Sequence, residues 1–225
     1  MDVDMSDAPP SPGVDTTASK PGLEIAFILG GPGAGKGTQC ARLANDLRLG
    51  HVSAGDLLRQ EKDHQSPDVK RAIENAAVEG KLVPPSIIMP ILRKELERQV
   101  GMGRSKVLLD GFPRDFAQAR AFEEEFGLCS LVLYFKCSKE IMHDRVRGRA
   151  GTSGRSDDND ETFEKRLVGF WADTLPLAPY LEDKLKDRFI VVDAEIPLKE
   201  GYQPLKQLLI KRGFDSTATH EYLYG

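Results

Sequence analysis

Hydrophobic residues along the chain gather in short unbroken runs rather than in long alternating stretches. "LEIAFILG" (23–30), "KVLLDGF" (106–112), "CSLVLYFKC" (129–137) and "DRFIVVDA" (187–194) are each apolar over several consecutive positions. A strand apolar on both faces is covered on both faces, which is the mark of a buried parallel sheet. "GHVSAG" (50–55) is a shorter fifth candidate. Between the runs, apolar positions recur at helical spacing, beginning with Cys40, Leu43, Ala44 and Leu47. Further helices are expected over 55–62, 67–79, 85–100, 115–126, 138–148, 160–185 and 200–212. Pro84 and Pro85 suit a helix start, and Pro90 predicts a kink or a shifted start. Strands alternating with helices imply the α/β class, a mostly parallel sheet covered on both faces. Ligands of such folds bind beyond the carboxyl ends of the strands. There the loop at 30–37, Asp110 and the segment after Ala194 would converge. No internal repeat and no second domain is evident, only helical and loop insertions.

The 225 residues suit one domain with a substantial core, and the formal net charge of −4 argues against a nucleic-acid binder. No apolar run approaches the ~18 residues of a membrane span. Cys40, Cys129 and Cys137 are flanked by apolar residues and read as reduced core thiols, not as a disulfide framework. The four histidines lack ligand spacing and read as surface or structural residues. Residues 1–22 are acidic and rich in Pro, Ser and Thr, without the apolar run of a secretory signal. They are expected to be a dispensable disordered tail.

"GGPGAGKGTQ" (30–39) carries the first candidate chemistry. Gly30, Gly35 and Lys36 fit a phosphate-binding loop, but Gly37 stands where a magnesium-binding hydroxyl is usual and Thr38 follows it. Successive glycines let backbone N–H groups turn around an anion at a helix start, and lysine adds a point charge. A tight turn explains one or two glycines. It does not explain five in eight residues between a strand and a helix. The second candidate, "LLDGFPR" (108–114), ends an apolar strand in Asp110, where a carboxylate can reach a nucleotide-bound magnesium ion. The third is a set of arginines in loop-like surroundings: Arg59, Arg114, Arg145, Arg149, Arg155 and Arg166. Guanidinium forks match phosphate oxygens, so a net-acidic chain with this set is expected to bind anionic ligands.

"GGPGAGKGTQC", "HVSAGDLLR", "GKLVP", "LLDGFPR" and "TSGRSDDN" together resemble the nucleoside monophosphate kinases of the adenylate kinase family. Within it they are most similar to the UMP/CMP kinases of the fungal uridylate type. The resemblance implies a P-loop three-layer α/β/α fold around a central five-stranded parallel sheet. The kinase domain would span 23–212, with a helical NMP-binding insertion at about 53–83 and a short lid at about 149–159. Residues 213–225 would be a C-terminal tail. Lys36 followed by Gly37-Thr38 is this family's own form of the loop.

The resemblance also implies roles. Gly31, Pro32, Gly33, Ala34, Gly35, Lys36, Gly37 and Thr38 would hold the ATP phosphates. Arg145 and the backbone near Ile196 would lie against the ATP base. On the acceptor side, Arg59 and Arg114 would grip the monophosphate. Ala54, Lys81, Leu82, Val83, Gly111, Phe112 and Pro113 would surround the nucleoside, and Gln118 would read its base. Arg149 and Arg155 of the lid, with Arg166, would neutralise the transferred charge; Arg155 and Arg166 would also reach the acceptor. Lys36, Arg114, Arg149, Arg155 and Arg166 would therefore be the catalytic set, and Asp110 would reach Mg²⁺ through water. Arg149-Ala150-Gly151 departs from the Arg-Gly-Lys common at the lid entry. The lid is also too short, and lacks the cysteines, for the zinc-bearing type.

The implied reaction is in-line transfer from ATP to a pyrimidine monophosphate. UMP is expected as the main acceptor, with CMP, dCMP and AMP as further candidates. Ala54, where adenylate kinases carry Thr, favours the pyrimidine reading. Gln118 cannot discriminate unless neighbours fix its amide, because rotation swaps donor and acceptor. The alternatives are an adenylate kinase and a catalytically inactive nucleotide-binding protein. A GTPase would need Asn-Lys-x-Asp, and Asn45, Asn75 and Asn159 never occur so. A dinucleotide-binding dehydrogenase would need Gly-x-Gly-x-x-Gly, which 30–37 does not spell. A monomeric, cytoplasmic protein is expected, with a nuclear fraction left open, and with neither a nucleic-acid nor a membrane partner.

Overall fold

The computed structural model describes residues 22–150 and 159–216. Its centre is a sheet of five parallel strands: β1 (Glu24–Gly30), β2 (Gly50–Ser53), β3 (Lys106–Asp110), β4 (Leu131–Lys136) and β5 (Phe189–Asp193). Their spatial order is β2-β3-β1-β4-β5. Ile28 of β1 lies opposite Asp110 on one side and Leu133 on the other, so the ends of β1 and β3 reach the same edge together.

Side chains alternate across β1 because successive Cβ atoms point to opposite faces. Ile25, Phe27 and Leu29 enter one core with α4 (Pro85–Gly101), α5 (Phe116–Phe126) and α8 (Leu177–Leu185). Ala26 and Ile28 enter a second core with α1 (Lys36–Leu47), α6 (Lys139–Ala150), α7 (Asp160–Gly169) and α9 (Leu198–Lys211). Two cores on either side of one sheet make the expected three layers. Helices α2 (Ala54–Glu61) and α3 (Pro67–Glu79) form an insertion after β2. At its end Gly80 (φ +69) lies against α7: a Cβ on Gly169 would sit 3.2 Å from the Gly80 carbonyl oxygen.

Three expectations shift. The single helix over 160–185 is two helices joined by a π turn at Phe170–Thr174 and by Pro176. Leu175 N–H bonds the Phe170 carbonyl (2.8 Å), an i to i+5 step, and Pro176 has no N–H with which to continue the α pattern. Helix α4 begins at Pro85 and runs on through Pro90, so its start is not shifted. Packing extends past residue 212. Phe214 is fully buried, Lys106 Nζ donates to the Gly213 carbonyl (2.6 Å), and Ser216 N–H bonds the Leu47 carbonyl (3.1 Å). Cys40 and Cys129 are buried and Cys137 half-buried, all free thiols. Among the described residues no helix is long and apolar enough to cross a membrane.

Candidate active site

β1 ends at Gly30 and α1 begins at Lys36, so residues 31–35 turn at the sheet edge. The turn is pressed against its surroundings. At Gly33 (φ +84) a Cβ would lie 2.2 Å from the Met142 carbonyl oxygen, and at Gly35 (φ +87) 2.6 Å from Leu198 Cδ2. Only glycine combines those dihedrals with that clearance. Lys36 Nζ donates to the carbonyls of Gly30 (2.7 Å) and Gly31 (2.8 Å). Burial lowers its pKa to about 8; the Asp110 carboxylate opposes that shift, while Arg114 and Arg166 reinforce it.

Gly37 has a different neighbour. A Cβ there would meet only Asp110 Oδ2, at 3.4 Å. Asp110 is 8% exposed at the end of β3, and His51 Nε2, buried and without a hydrogen-bond partner, lies 4.0 Å from its Oδ2. Among the described residues no group of three or more His, Cys, Asp or Glu side chains could hold a metal. A single carboxylate beside a glycine suits an ion that brings most of its ligands as phosphate oxygens and waters, as Mg²⁺ does.

Across the cleft, Ser53 caps α2 by accepting the Asp56 N–H (3.4 Å). A Cβ on Gly55, in the first turn, would lie 3.4 Å from Arg114 Nη2 and 3.6 Å from both Nη atoms of Arg59. Two guanidinium groups therefore converge at the positive end of a helix, which is an anion site by charge and by dipole. Arg59 is paired with Asp56. Arg114 Nε donates to the Gly111 carbonyl (2.9 Å), and Thr174 Oγ1, from the π turn, donates to the Arg114 carbonyl (2.7 Å).

Gln118, 3% exposed, sits deeper. Its Oε1 accepts the Arg114 N–H (3.0 Å) and its Nε2 donates to the Val83 carbonyl (3.0 Å). A backbone N–H can only donate and a carbonyl can only accept, so the amide is held in one orientation. One N–H and one lone pair remain for a ligand.

These features line a cleft of about 750 Å³ and a side pocket of about 90 Å³. The cleft brings together Pro32, Gly33, Gly35, Lys36, Gly37 and Thr38 with Arg145, Arg149 and Asp110. Arg59, Leu82, Gly111, Arg114 and Arg166 line both cavities, with Pro113 in the cleft. Ala54, Lys81, Val83, Phe112 and Gln118 line the side pocket. Three expected contacts line neither. Ala34 is wholly buried, and Gly31 faces inward, its Cβ position 2.4 Å from Met142 Sδ. Ile196 is tied to the site through its carbonyl, which accepts from Arg145 Nη2 (3.4 Å). Arg155 and most of the lid expected at 149–159 lie outside the described residues. His51, Ser53, Phe170, Thr174 and Leu198 line the cleft without having been expected there. His51 and Ser53 lie within "HVSAGDLLR" but had been given no role there, and Phe170, Thr174 and Leu198 enter only once the π turn and the start of α9 are folded.

The adenylate kinase family model matches residues 28–186. The chain is 38% identical over 205 residues to a UMP-CMP kinase of Lentinula edodes, covering 87% of this chain and 89% of that protein. It is 42% identical over 164 residues to a uridylate kinase of Saccharomyces cerevisiae, covering 73% and 80%. It is also 41% identical over 167 residues to adenylate kinase isoenzyme 1 of Caenorhabditis elegans, covering 73% and 78%.

Proposed function

The chain belongs to the adenylate kinase family, and from that premise we propose that it phosphorylates a pyrimidine nucleoside monophosphate, chiefly UMP, at the expense of ATP. The observation that carries this reading is the pairing of two anion sites in one cleft: Lys36 with its glycine loop, and Arg59 with Arg114 across from it.

The acceptor oxygen of a monophosphate is already anionic, so no general base is required. The task is to hold two polyanions in line and to stabilise charge on the transferred group. Lys36 would leave the carbonyls of Gly30 and Gly31 for the donor phosphates. Arg114 would hold the acceptor phosphate, its backbone fixed by Gln118 and Thr174 and its guanidinium by the Gly111 carbonyl. Arg149, Arg155 and Arg166 would neutralise the charge that develops between the two. Mg²⁺ arriving with ATP would spread that charge further, held from the protein side by Asp110 through water. A lid at about 149–159 would exclude water as a competing acceptor. We further read the enzyme as a cytoplasmic monomer.

The names of the fungal relatives favour a pyrimidine acceptor, as does Ala54. The fixed Gln118 amide supports reading by one donor and one acceptor in a set order, since turning the amide over would lose both backbone bonds. A second reading, AMP as main acceptor, has the nematode relative in its favour. Initial rates with ATP, Mg²⁺ and each of UMP, CMP, dCMP and AMP decide the matter. UMP is expected to have the highest kcat/KM. AMP well ahead of UMP moves the protein to adenylate kinase, and nucleotide binding without diphosphate formation marks it as inactive.

A further inference from the structure

The donor end of the cleft joins two pieces far apart in sequence: the helix that starts at the phosphate loop, and the segment 194–198 between β5 and α9. Three of the ties on that segment come from β4 and α6 and the loop between them. Ala194 N–H bonds the Lys136 carbonyl (2.9 Å), Glu195 Oε1 accepts the Ser138 N–H (2.9 Å), and Arg145 Nη1 donates to the Ala194 carbonyl (2.7 Å). A further hydrogen bond comes from the phosphate helix itself: Gln39 Nε2 donates to the Leu198 carbonyl (2.9 Å). Gln39 lies three residues after Lys36 and is 4% exposed. Its Oε1 is buried and has no hydrogen-bond partner. A half-satisfied buried amide is less favourable than an apolar side chain of equal size. Packing therefore does not account for glutamine here. The seam around it is close on both sides, with Leu198 against Gly35 and with Ile196 Cγ2 and Gln39 Nε2 at 3.9 and 4.0 Å from the Cβ position of Gly201.

We propose that Gln39 is a positioning residue that sets the separation between the phosphate loop and segment 194–198, and so controls how tightly the donor's base is held. The inference rests on reading the cleft as a donor-nucleotide site. A nucleoside triphosphate is gripped at both ends, and its covalent length fixes the span between them. Loosening the Gln39 tie lets the base wall drift while Lys36 and the loop amides stay in place. The loss then falls on the base-dependent part of binding alone.

The test is Gln39→Met, which keeps the length of the side chain and removes both amide atoms. ATP, GTP and inorganic tripolyphosphate, each with Mg²⁺, are titrated calorimetrically into the wild-type and variant proteins without acceptor. The ATP dissociation constant is expected to rise about five- to tenfold, because ordering the freed segment on binding then costs about as much as the buried hydrogen bond that had held it. The ATP-over-GTP preference should shrink by a similar factor, and tripolyphosphate should be unaffected. In turnover the ATP KM rises by the same factor, while kcat and the acceptor KM hold. Equal losses for ATP and tripolyphosphate would mean that Gln39 only holds up α1, and would overturn the proposal. So would no change at all, or a wild type that binds ATP no better than tripolyphosphate. Gln39→Leu gives the same readout if the methionine variant folds poorly. A wild type that binds ATP but makes no diphosphate would refute the kinase reading and leave this comparison standing.

Discussion

Around Lys36 the backbone is wedged among buried neighbours, with Met142, Phe135 and Leu198 closing on loop glycines. Helix α1 behind it buries Gln39, Cys40, Leu43 and Leu47. Across the cleft, α2 buries only Ala54 and Leu57, and α3 only Ile73. Beyond those few core residues, surface ion pairs link α3 to the turn at 62–64 (Lys62–Glu74, Lys70–Asp63) and α2 to α4 (Lys94–Glu61). Such pairs contribute little to stability. The half of the cleft proposed for the donor phosphates is thus preorganised at the expense of burying a cation, and the half proposed for the acceptor, with fewer buried residues, is expected to open at smaller cost. One half of the cleft is a mould and the other is a jaw.

The largest test of that contrast is Lys36→Met. Turnover should fall by at least about 10³-fold. The ligand-free protein should nevertheless melt higher. The folded pKa of about 8 lies below the ordinary lysine value of 10.5, so at neutral pH the buried ammonium destabilises the fold. Discounted for the half-buried position of the residue, its removal should gain about 1 kcal/mol. A melt that drops would show the loop depends on the lysine for its shape.

Next comes Arg114→Lys. A point charge cannot replace a fork held by the Gly111 carbonyl, so the acceptor KM should rise about 30–100-fold with the ATP KM unchanged. An equal rise in both would erase the distinction between the halves. Gln118→Leu follows, with the acceptor's kcat/KM falling about 10–30-fold and base discrimination fading. It leaves the Arg114 N–H and Val83 carbonyl unpaired, so a stability loss of about 2 kcal/mol accompanies it.

The smallest effect is on pH. Lys36 is charged below its folded pKa of about 8, and bound phosphate favours that charged form. ATP affinity should therefore be flat below about pH 7 and weaken by up to about tenfold per unit above pH 8, as binding takes up a proton. Titrations from pH 6.5 to 9 check this, and the Lys36→Met variant should show no such slope.

Much of the mould was legible in the sequence, because its parts are local. Strand, glycines, lysine and helix are consecutive, and the buried runs of β1, β3 and β4 name the sheet directly. The jaw was legible only as far as Arg59, Arg114 and Gln118. What fixes Gln118 is a carbonyl 35 residues away, and no local pattern encodes such a partner. The π turn escaped because one extra residue per turn leaves the apolar spacing of 160–185 nearly intact. Pro176 was the available signal, since a proline inside a helix removes a donor. His51 was read as surface or structural for want of ligand spacing among the histidines, and strand β2 carries it to within 4.0 Å of Asp110. Phe214 likewise looked like tail sequence until Lys106 and Leu47 supplied partners for its neighbours.

The contact between Gly80 and Gly169 bears on how far that jaw can travel. Moving parts of a protein usually meet through side chains, whose rotamers soften the final approach and spread it over a range. Here a Cβ on Gly169 would stand only 3.2 Å from the Gly80 carbonyl oxygen, so the approach of backbone to backbone leaves no rotamer to absorb an added group. A single methyl group at residue 169 is expected to act as a shim, pressing on the Gly80 carbonyl oxygen at 3.2 Å and lying 3.9 Å from Asp173 Oδ2, and so to hold the jaw ajar by a fraction of an ångström.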